Sequence, residues 1–320
     1  MAVVAGLLIP WLIFTVTEKI YLLQKDKNGN VLPEESTPET EPVFQDMDDC
    51  ILVLDSDGTI EKMELDTYLL GVLLGEMPVE FEIEALKAQA VVARTYALKR
   101  STSGQKHTRG AVCKESSCCQ AYRSPEDFIN EGGTNASLDK VSSAVNSTSG
   151  QVLYYNGALI EATFFSCSGG KTEDAMAVWG SDIPYLIAVD SPGEEGATYY
   201  TDLVRLSTQE FAELLELEPE GKPVNWFGSI SYTAGGGVNT IQILGKTYKG
   251  LYLREKLGLR STAFTISVMG DEIYIITKGF GHRVGMSQYG AEAMAVKGCG
   301  YAEILTHYYP GTELTKYTDN

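Results

Sequence analysis

The sequence predicts an α+β protein in which helices and β-hairpins form a two-lobed domain. Three features support this class: a long alanine-rich helical segment, several short strand pairs joined by turn residues, and no regular alternation of strands with helices. Regular βαβ repeats would favour a parallel sheet, whereas grouped hairpins and helices are typical of α+β folds. Hydrophobic residues make up 44% of the 320 residues, so the chain can bury a substantial core.

The first predicted segment is a membrane anchor over residues 1–23. Residues 2–16 are almost continuously apolar, and residues 20–23 extend this stretch. A spanning helix needs about twenty apolar residues, and no small-residue cleavage site of a signal peptide follows. A buried N-terminal helix is the alternative.

A linker is predicted over residues 24–49, which contain three prolines and many acidic and hydroxyl side chains without hydrophobic periodicity. This composition is typical of a flexible, solvated tether. We therefore expect residues 50–320 to form the folded domain, attached to the cell membrane by one span. The charges that flank the span do not fix its orientation.

The first elements of the folded domain are a hairpin and two helices. Residues 51–54 and 59–65 flank an Asp-Ser-Asp-Gly turn signal. A helix capped by Asp66 follows and ends before Pro78, because proline disfavours helix in the preceding residue and suits a first helical turn itself. Alanines at helical spacing from Ala85 to Ala97 then predict a strong helix that ends near Arg100.

The second half of the chain is predicted to contain shorter elements. Ser207 and Glu210 have the spacing of a capping box, which indicates a helix running to Leu215. The other predicted elements are a helix over 137–147, a strand and turn from 151, a strand over 159–166, strands within 225–243, a helix over 249–257, a hairpin over 264–276 and a helix over 287–296.

The charge of the chain argues against a nucleic-acid partner. Lysine and arginine number 25 against 43 acidic residues, which gives a formal net charge of −18. Nucleic-acid binding requires clustered basic side chains that neutralise phosphates, and the sequence has no such cluster. The acidity is a general solubility feature.

Glu76 is the candidate catalytic acid. It lies among apolar residues in Leu-Leu-Gly-Glu-Met-Pro, before a helix. Desolvation there would raise the pKa of the carboxyl group and keep it protonated as a donor. A capping or salt-bridged carboxylate is the alternative.

Arg94 lies amid alanines and valines of the following helix, so its guanidinium must find a partner or reach solvent. In the functional interpretation, this partner is Glu76 or an oxygen of the substrate. The alternative is that Arg94 lies on the exposed surface of the helix.

His107, Cys113 and Cys119 are a candidate zinc site, with five residues between successive members. Zinc prefers nitrogen and sulfur ligands. Cys118, Glu76 or water would complete such a site, which would be either catalytic or structural. The alternative is a disulfide between Cys113 and Cys118 or Cys119.

Two glycine-containing segments are candidates for substrate binding. The segment from Phe164 to Glu173 ends a strand in small polar residues, and residues 279–291 place four glycines around a histidine, a serine and a glutamine. Glycines allow the backbone to approach a ligand closely. The candidate substrate-binding side chains in these segments are Lys171, Glu173, His282, Ser287 and Gln288.

Together these motifs resemble the stage II sporulation protein D family over roughly residues 51–315. The segments that carry the resemblance are Gly75-Glu76-Met77-Pro78, residues 84–90, Ala93-Arg94-Thr95-Tyr96, residues 165–173 and residues 279–291. An N-terminal anchor before an extracytoplasmic domain also matches this family.

The resemblance implies a lytic transglycosylase that cleaves peptidoglycan glycan strands to 1,6-anhydro-N-acetylmuramic acid ends during engulfment of the forespore. It implies that Glu76 is the catalytic glutamate, that Arg94 binds substrate, and that His107, Cys113 and Cys119 bind zinc as in similar clostridial members. The implied partners are a sporulation amidase or endopeptidase and the membrane scaffold of the engulfment complex.

The sequence departs from the family pattern at two points. Arg283 stands where the family often has glycine after the histidine of the last motif, and no basic side chain precedes the apolar N-terminal stretch. Two other functions are kept as alternatives. One is a zinc hydrolase that uses metal-bound water near His107, and the other is a non-catalytic glycan-binding protein that activates a cell-wall amidase.

Overall fold

The computed structural model of the protein describes residues 50–318. The predicted anchor over 1–23 and linker over 24–49 lie outside these residues. Within 50–318, no helix has the length and apolarity to cross a membrane. The described part of the chain is a mixture of helices and small sheets, so the predicted α+β class is confirmed.

The strands form small two- and three-stranded sheets, with strand orders β2-β1-β3, β10-β9-β8, β11-β12-β7, β13-β6 and β14-β4-β5. The strands are β1 (Cys50–Leu54), β2 (Ile60–Glu64), β3 (Val112–Cys113), β4 (Gln151–Tyr155), β5 (Ala158–Leu159), β6 (Phe164–Phe165), β7 (Thr201–Ser207), β8 (Phe227–Tyr232), β9 (Val238–Ile243), β10 (Lys246–Lys249), β11 (Phe264–Met269), β12 (Glu272–Lys278), β13 (Met286–Ser287) and β14 (Glu313–Lys316).

The helices differ widely in length, from five to twenty residues. They are α1 (Leu65–Glu76), α2 (Ile83–Thr102), α3 (Pro125–Asn130), α4 (Asn135–Ser147), α5 (Ala175–Trp179), α6 (Thr208–Leu214), α7 (Gly250–Lys256), α8 (Gln288–Val296) and α9 (Tyr301–Tyr308), with short 3₁₀ turns at Thr108–Gly110 and Pro223–Asn225.

Helix α2 lies at the centre of the first hydrophobic core. Its alanines from Ala85 to Ala97 are fully buried, and it packs against α1, α4, α8, α9 and β4. Small side chains allow neighbouring elements to approach closely on several sides, so the alanine-rich pattern is explained by burial all round rather than by one apolar face. This core therefore fixes α1, which ends at Glu76.

A second hydrophobic core is built by the chain between β7 and β12. Phe211, Ile241, Leu253, Ile273 and Ile275 are buried together between two antiparallel sheets and helices α6 and α7. The chain then returns to the first core, where β13 pairs in parallel with β6. The second core is thus an insertion between two parts of the first.

Three predicted elements differ in the structure. Helix α1 begins at Leu65, and Asp66 does not cap it but accepts a bond from Arg94. Helix α2 begins at Ile83, because Pro78 forms a separate turn in which its carbonyl accepts from the amide of Phe81. The predicted strand over 159–166 is interrupted, since the amide of Glu161 donates to the Tyr185 hydroxyl instead of to a neighbouring strand.

Candidate functional site

An open cavity of about 940 Å³ contains the candidate acid and part of the candidate metal site. Glu76, Cys118 and Cys119 line it on one side. Trp179, His282 and Gln288 also line it. Two segments that are far apart in sequence, one at the end of α1 and one at the start of α8, therefore meet at this cavity.

Glu76 is the last residue of α1, and its carboxyl group is partly buried in the cavity wall. Burial raises its pKa, and this effect outweighs the opposing hydrogen bond from the backbone N–H of Ala121 to Oε1 at 2.6 Å. The Gln288 amide also favours the ionised form, although its Nε2 has no fully formed hydrogen bond among the described residues. A carboxylate is further disfavoured at the negative end of a helix dipole.

The hydrogen bond to Glu76 depends on a close approach at Gly75. A Cβ atom on Gly75 would lie 2.8 Å from the backbone nitrogen of Tyr122 and 2.9 Å from the carbonyl carbon of Ala121. Only glycine therefore lets the segment 121–122 run against α1 and place the Ala121 N–H on the carboxylate.

His107, Cys113, Cys118 and Cys119 form a compact cluster in which the ligand atoms lie within 4.8 Å of one another. The Nε2 atom of His107 is 3.3 Å from Sγ of Cys118. Burial raises the pKa of the Cys118 thiol to about 12 and that of the Cys119 thiol above its ordinary value. The six cysteines are all free thiols in this structure.

This cluster has the composition and size of a structural zinc site. Tetrahedral zinc has bonds of about 2.0–2.3 Å, which puts its ligand atoms roughly 3.5–3.8 Å apart. Three sulfurs and one imidazole nitrogen within 4.8 Å can reach this geometry with small side-chain movements. Such a metal would constrain Cys119. Two residues later, the backbone N–H of Ala121 donates to Glu76.

Arg94 occupies a position different from the one predicted for a substrate-binding residue. Its side chain is fully buried, and Nη2 donates to Asp66 at 2.9 Å rather than to Glu76. Nη1 donates to the carbonyl of Thr148 at 2.8 Å, and Nη2 to that of Val145 at 3.3 Å. The guanidinium thus binds the C-terminal end of α4 and the first turn of α1. Because it has no exposed surface, it is a structural link rather than a glycan contact.

Glu173 and Arg283 form a buried ion pair of 3.4 Å between the glycine-containing segments. Arg283 has a φ of 66°, in the region that favours glycine. Its guanidinium compensates by donating to the carbonyls of Ser168, Lys171 and Gly235. These contacts explain how arginine is accommodated where the family pattern often has glycine.

The remaining predicted substrate-binding residues differ in location. Lys171 forms a surface ion pair with Asp190 and does not line the cavity. Ser287 is buried and caps α8 through the amide of Gly290. Lys171 and Ser287 thus lie outside the lining of this cavity, whereas Gln288 and His282 line it with Glu76.

His282 is a neutral residue of the cavity wall. Burial, together with the nearby positive charge of Arg254, lowers its pKa to about 4. Its Nδ1 accepts from the amide of Val284 at 3.0 Å, so the neutral ring carries its proton on Nε2. Its ring contacts Phe165 and Trp179.

Sequence reasoning missed the aromatic side chains of the cavity. Trp179 is 45% exposed and Phe280 39% exposed, although both are large apolar residues, and both line the cavity. Exposed aromatic surface in a cavity is typical of ligand binding. A tryptophan placed directly before Gly-Ser-Asp, which is a turn signal, was the available signal for Trp179.

The fold and the cavity define a two-core α+β protein with a desolvated carboxyl group and exposed aromatic rings in one wall. A family model described as SpoIID, stage II sporulation protein, matches residues 55–155. The chain is 41% identical over 266 residues to Stage II sporulation protein D of Bacillus amyloliquefaciens, which covers 82% of this chain and 77% of that protein.

Two further relatives extend this comparison. Stage II sporulation protein D of Bacillus subtilis (strain 168) is 41% identical over 263 residues, covering 81% of this chain and 76% of that protein. The amidase enhancer of the same strain is 31% identical over 311 residues, covering 78% of this chain and 40% of that protein. The chain belongs to the stage II sporulation protein D family, and the resemblance drawn from the motifs is confirmed.

Proposed function

We propose that this protein is a lytic transglycosylase that cleaves peptidoglycan glycan strands during sporulation, with Glu76 as its acid and base. The observation that carries the proposal is the Glu76 carboxyl group, which lines a large cavity and has a raised pKa. A raised pKa favours the protonated carboxyl group, which is the form that can donate to a leaving group.

The reaction needs a single carboxyl group. Glu76 donates its proton to the glycosidic oxygen after an N-acetylmuramoyl unit, and the C1–O bond breaks. The C6 hydroxyl of the same sugar then forms a bond to C1, and the Glu76 carboxylate takes the hydroxyl proton. The product is a 1,6-anhydro ring, no water is consumed, and Glu76 ends protonated. Most hydrolases instead use two carboxyl groups.

The groups around Glu76 support this cycle. The Ala121 N–H and the Gln288 amide stabilise the carboxylate that forms after proton donation. The exposed faces of Trp179 and Phe280 offer flat apolar surfaces on which sugar rings can pack. His282 is neutral and carries a proton on Nε2, so it is suited to hydrogen bonding rather than to charge stabilisation.

The decisive experiment compares Glu76→Gln with Glu80→Gln, an exposed acidic residue close in sequence. Glycan strands treated with the wild-type protein or the Glu80 variant should yield products with 1,6-anhydro-N-acetylmuramic acid ends, detected by mass spectrometry. The Glu76 variant should produce none. Products with ordinary reducing ends would instead show hydrolysis and reject this mechanism.

The proposal includes one zinc ion held by His107, Cys113, Cys118 and Cys119. Four protein ligands fill a tetrahedral coordination sphere, which is typical of structural sites, whereas catalytic zinc keeps one position open. The ligand set therefore favours a brace for residues 118–122 over a zinc hydrolase. The metal contributes no step to the chemistry described above.

Activation of a cell-wall amidase is the second candidate function, and the similarity to an amidase enhancer favours it. A pure activator would need glycan binding but no acid. Adding Glu76→Gln protein to an amidase assay separates the two functions, because an activator would keep its full effect. An anchored, extracytoplasmic position beside a sporulation amidase or endopeptidase and a membrane scaffold fits either function.

A further inference from the structure

A second cavity of about 620 Å³ adjoins the site that contains Glu76. Trp179 and His282 line both cavities, so these two side chains form a shared wall. The second cavity is bordered by Lys249 and Arg254, from β10 and α7 of the second core. A ligand that extends from Glu76 past Trp179 would therefore reach the cationic side chains of Lys249 and Arg254.

Arg254 has no ion-pair or hydrogen-bond partner at its guanidinium within the described residues, and only the adjacent Glu255 carboxylate acts on it electrostatically. Among residues 50–318, no hydrogen bond or ion pair of its side chain is found, although the group is partly buried and burial lowers its pKa. Its positive charge acts on His282 across the shared wall. A desolvated guanidinium without a partner is costly in a folded protein, and a bound anion would remove that cost.

The acidic residues of the second cavity do not supply this partner. Glu173 is bound through Oε1 by Arg283, the Thr233 hydroxyl and the Gly237 amide, while its Oε2 has no hydrogen-bond partner among the described residues. Asp174 accepts from the amide of Ala188 at 2.6 Å. Lys249 is exposed and makes no ion pair within the described residues. In a chain with a net charge of −18, two unpaired cations at one cavity indicate a site for an anion.

We infer that the second cavity is a carboxylate subsite, in which Arg254 and Lys249 bind a carboxylate group of the glycan whose scissile bond lies beside Glu76. The inference rests on the proposed function for the identity of the glycan. Muramoyl units carry a carboxylate on the lactyl group when unsubstituted, and on the peptide when a stem is attached. N-acetylglucosamine units carry none. Arginine suits this role because its planar fork of donors matches a carboxylate.

Equilibrium binding to the full chain carrying Glu76→Gln, which leaves the probes uncut, tests the inference without requiring catalysis. The probes are a muramoyl-containing oligosaccharide with free lactyl carboxylates, the same oligosaccharide with these groups converted to neutral amides, a stem-bearing oligosaccharide and a chitooligosaccharide of equal length. Arg254→Gln and Lys249→Gln are compared with Lys256→Gln, on the same helix as Arg254, and Lys246→Gln, on the same strand as Lys249. Thermal unfolding checks that each variant is folded.

Arg254→Gln should weaken binding of a carboxylate-bearing probe about tenfold or more, the range of a charge-assisted hydrogen bond. It should leave the amide derivative and the chitooligosaccharide unchanged, and Lys249→Gln should act in the same direction. Whether the free or the stem-bearing probe responds identifies the source of the carboxylate. Equal loss for charged and neutral probes, or no loss for either, would overturn the inference. Because binding alone is measured, this result does not depend on whether anhydro products form.

Discussion

The surroundings of Glu76 set the pKa of its carboxyl group, and they act in opposite directions. Burial and its position at the C-terminal end of α1 favour the acid form, while the Ala121 N–H and the Gln288 amide favour the carboxylate. The sequence showed an acidic residue among apolar ones, but neither Ala121 nor Gln288 is close to it in the chain. These partners could not be predicted without the packing of α8 and of the segment after the cysteines.

The dependence of activity on pH should show how these opposing effects set the pKa of Glu76. The Gln288 amide lowers the pKa of Glu76, so Gln288→Leu should raise that pKa. Since the donor must be protonated, activity falls as pH rises through the pKa of Glu76. The alkaline limb of kcat/KM against pH should therefore move to higher pH in the variant. Ser181→Ala, in the same cavity, serves as the control, and a limb that stays in place would mean that Gln288 does not contact the acid.

At the level of elements, Arg94 connects three helices. It lies on α2 and binds Asp66 on α1 and two carbonyls at the C-terminal end of α4. A positive charge at the end of α4 is favourable because the helix dipole is negative there. The arginine is thus part of the frame that positions α1.

Loss of Arg94 should therefore appear first in stability. Arg94→Ala leaves Asp66 and the buried carbonyls without their partner, and we expect a loss of about 3–5 kcal/mol in the free energy of unfolding. Lys87→Ala, on the same helix with a surface partner, should cost less than about 1 kcal/mol. Urea unfolding measures both. An Arg94 variant with normal stability but no activity would restore a direct role in the site.

The cysteine-containing loop between α2 and α3 should depend on metal for its order. We expect about one zinc per chain, measured by metal analysis together with a thiol count on anaerobically purified protein. Cys113→Ser should lose the metal and lower the melting temperature, with activity falling in consequence. Cys299→Ser, outside the cluster, should retain both. A metal-free protein with a Cys113–Cys119 disulfide would contradict the site.

Elements with strong local signals were predictable from the sequence, and others were not. The capping box of α6 is present, with Ser207 and Glu210 satisfying each other's backbone amides. In contrast, α5 has only five residues, which is too short for the hydrophobic periodicity of a helix to be recognised in the sequence. The parallel pairing of β6 with β13 joins two-residue strands, so its formation depends on tertiary packing rather than on propensity. The even spacing of His107, Cys113 and Cys119 did anticipate the cluster, and Cys118 was one of several candidates for its completion.

For the whole molecule, the buried His282 makes stability depend on pH. Its pKa is about 4 in the folded protein and about 6.5 when unfolded, so the unfolded chain binds more protons between these values. As far as His282 is concerned, the free energy of unfolding is therefore highest above about pH 6.5, and it decreases as the pH falls towards 4. The loss of stability across this range is about 3 kcal/mol.

Unfolding free energies at several pH values measure this contribution. His282→Gln should flatten the slope between about pH 6.5 and pH 4, because glutamine does not titrate in that range. His307→Gln, in α9 and outside both cavities, is the matched control variant. Identical slopes for the His282 variant and the wild type would show that the ring is accessible to protons in the folded state.

The insertion of the second core also sets an order of events during synthesis. Residues 201–278 can bury their apolar side chains with neighbours in the chain, and contacts close in sequence form fastest. The first core cannot be completed until Val284, Met286 and Ala291 have been synthesised, and these residues follow the insertion in the chain. Glu76 is thus translated early, whereas the helix that brings Gln288 to it arrives near the end. A prematurely terminated chain would contain Glu76 but not the completed cavity, so the surroundings of this carboxyl group form only when nearly the whole polypeptide has been made.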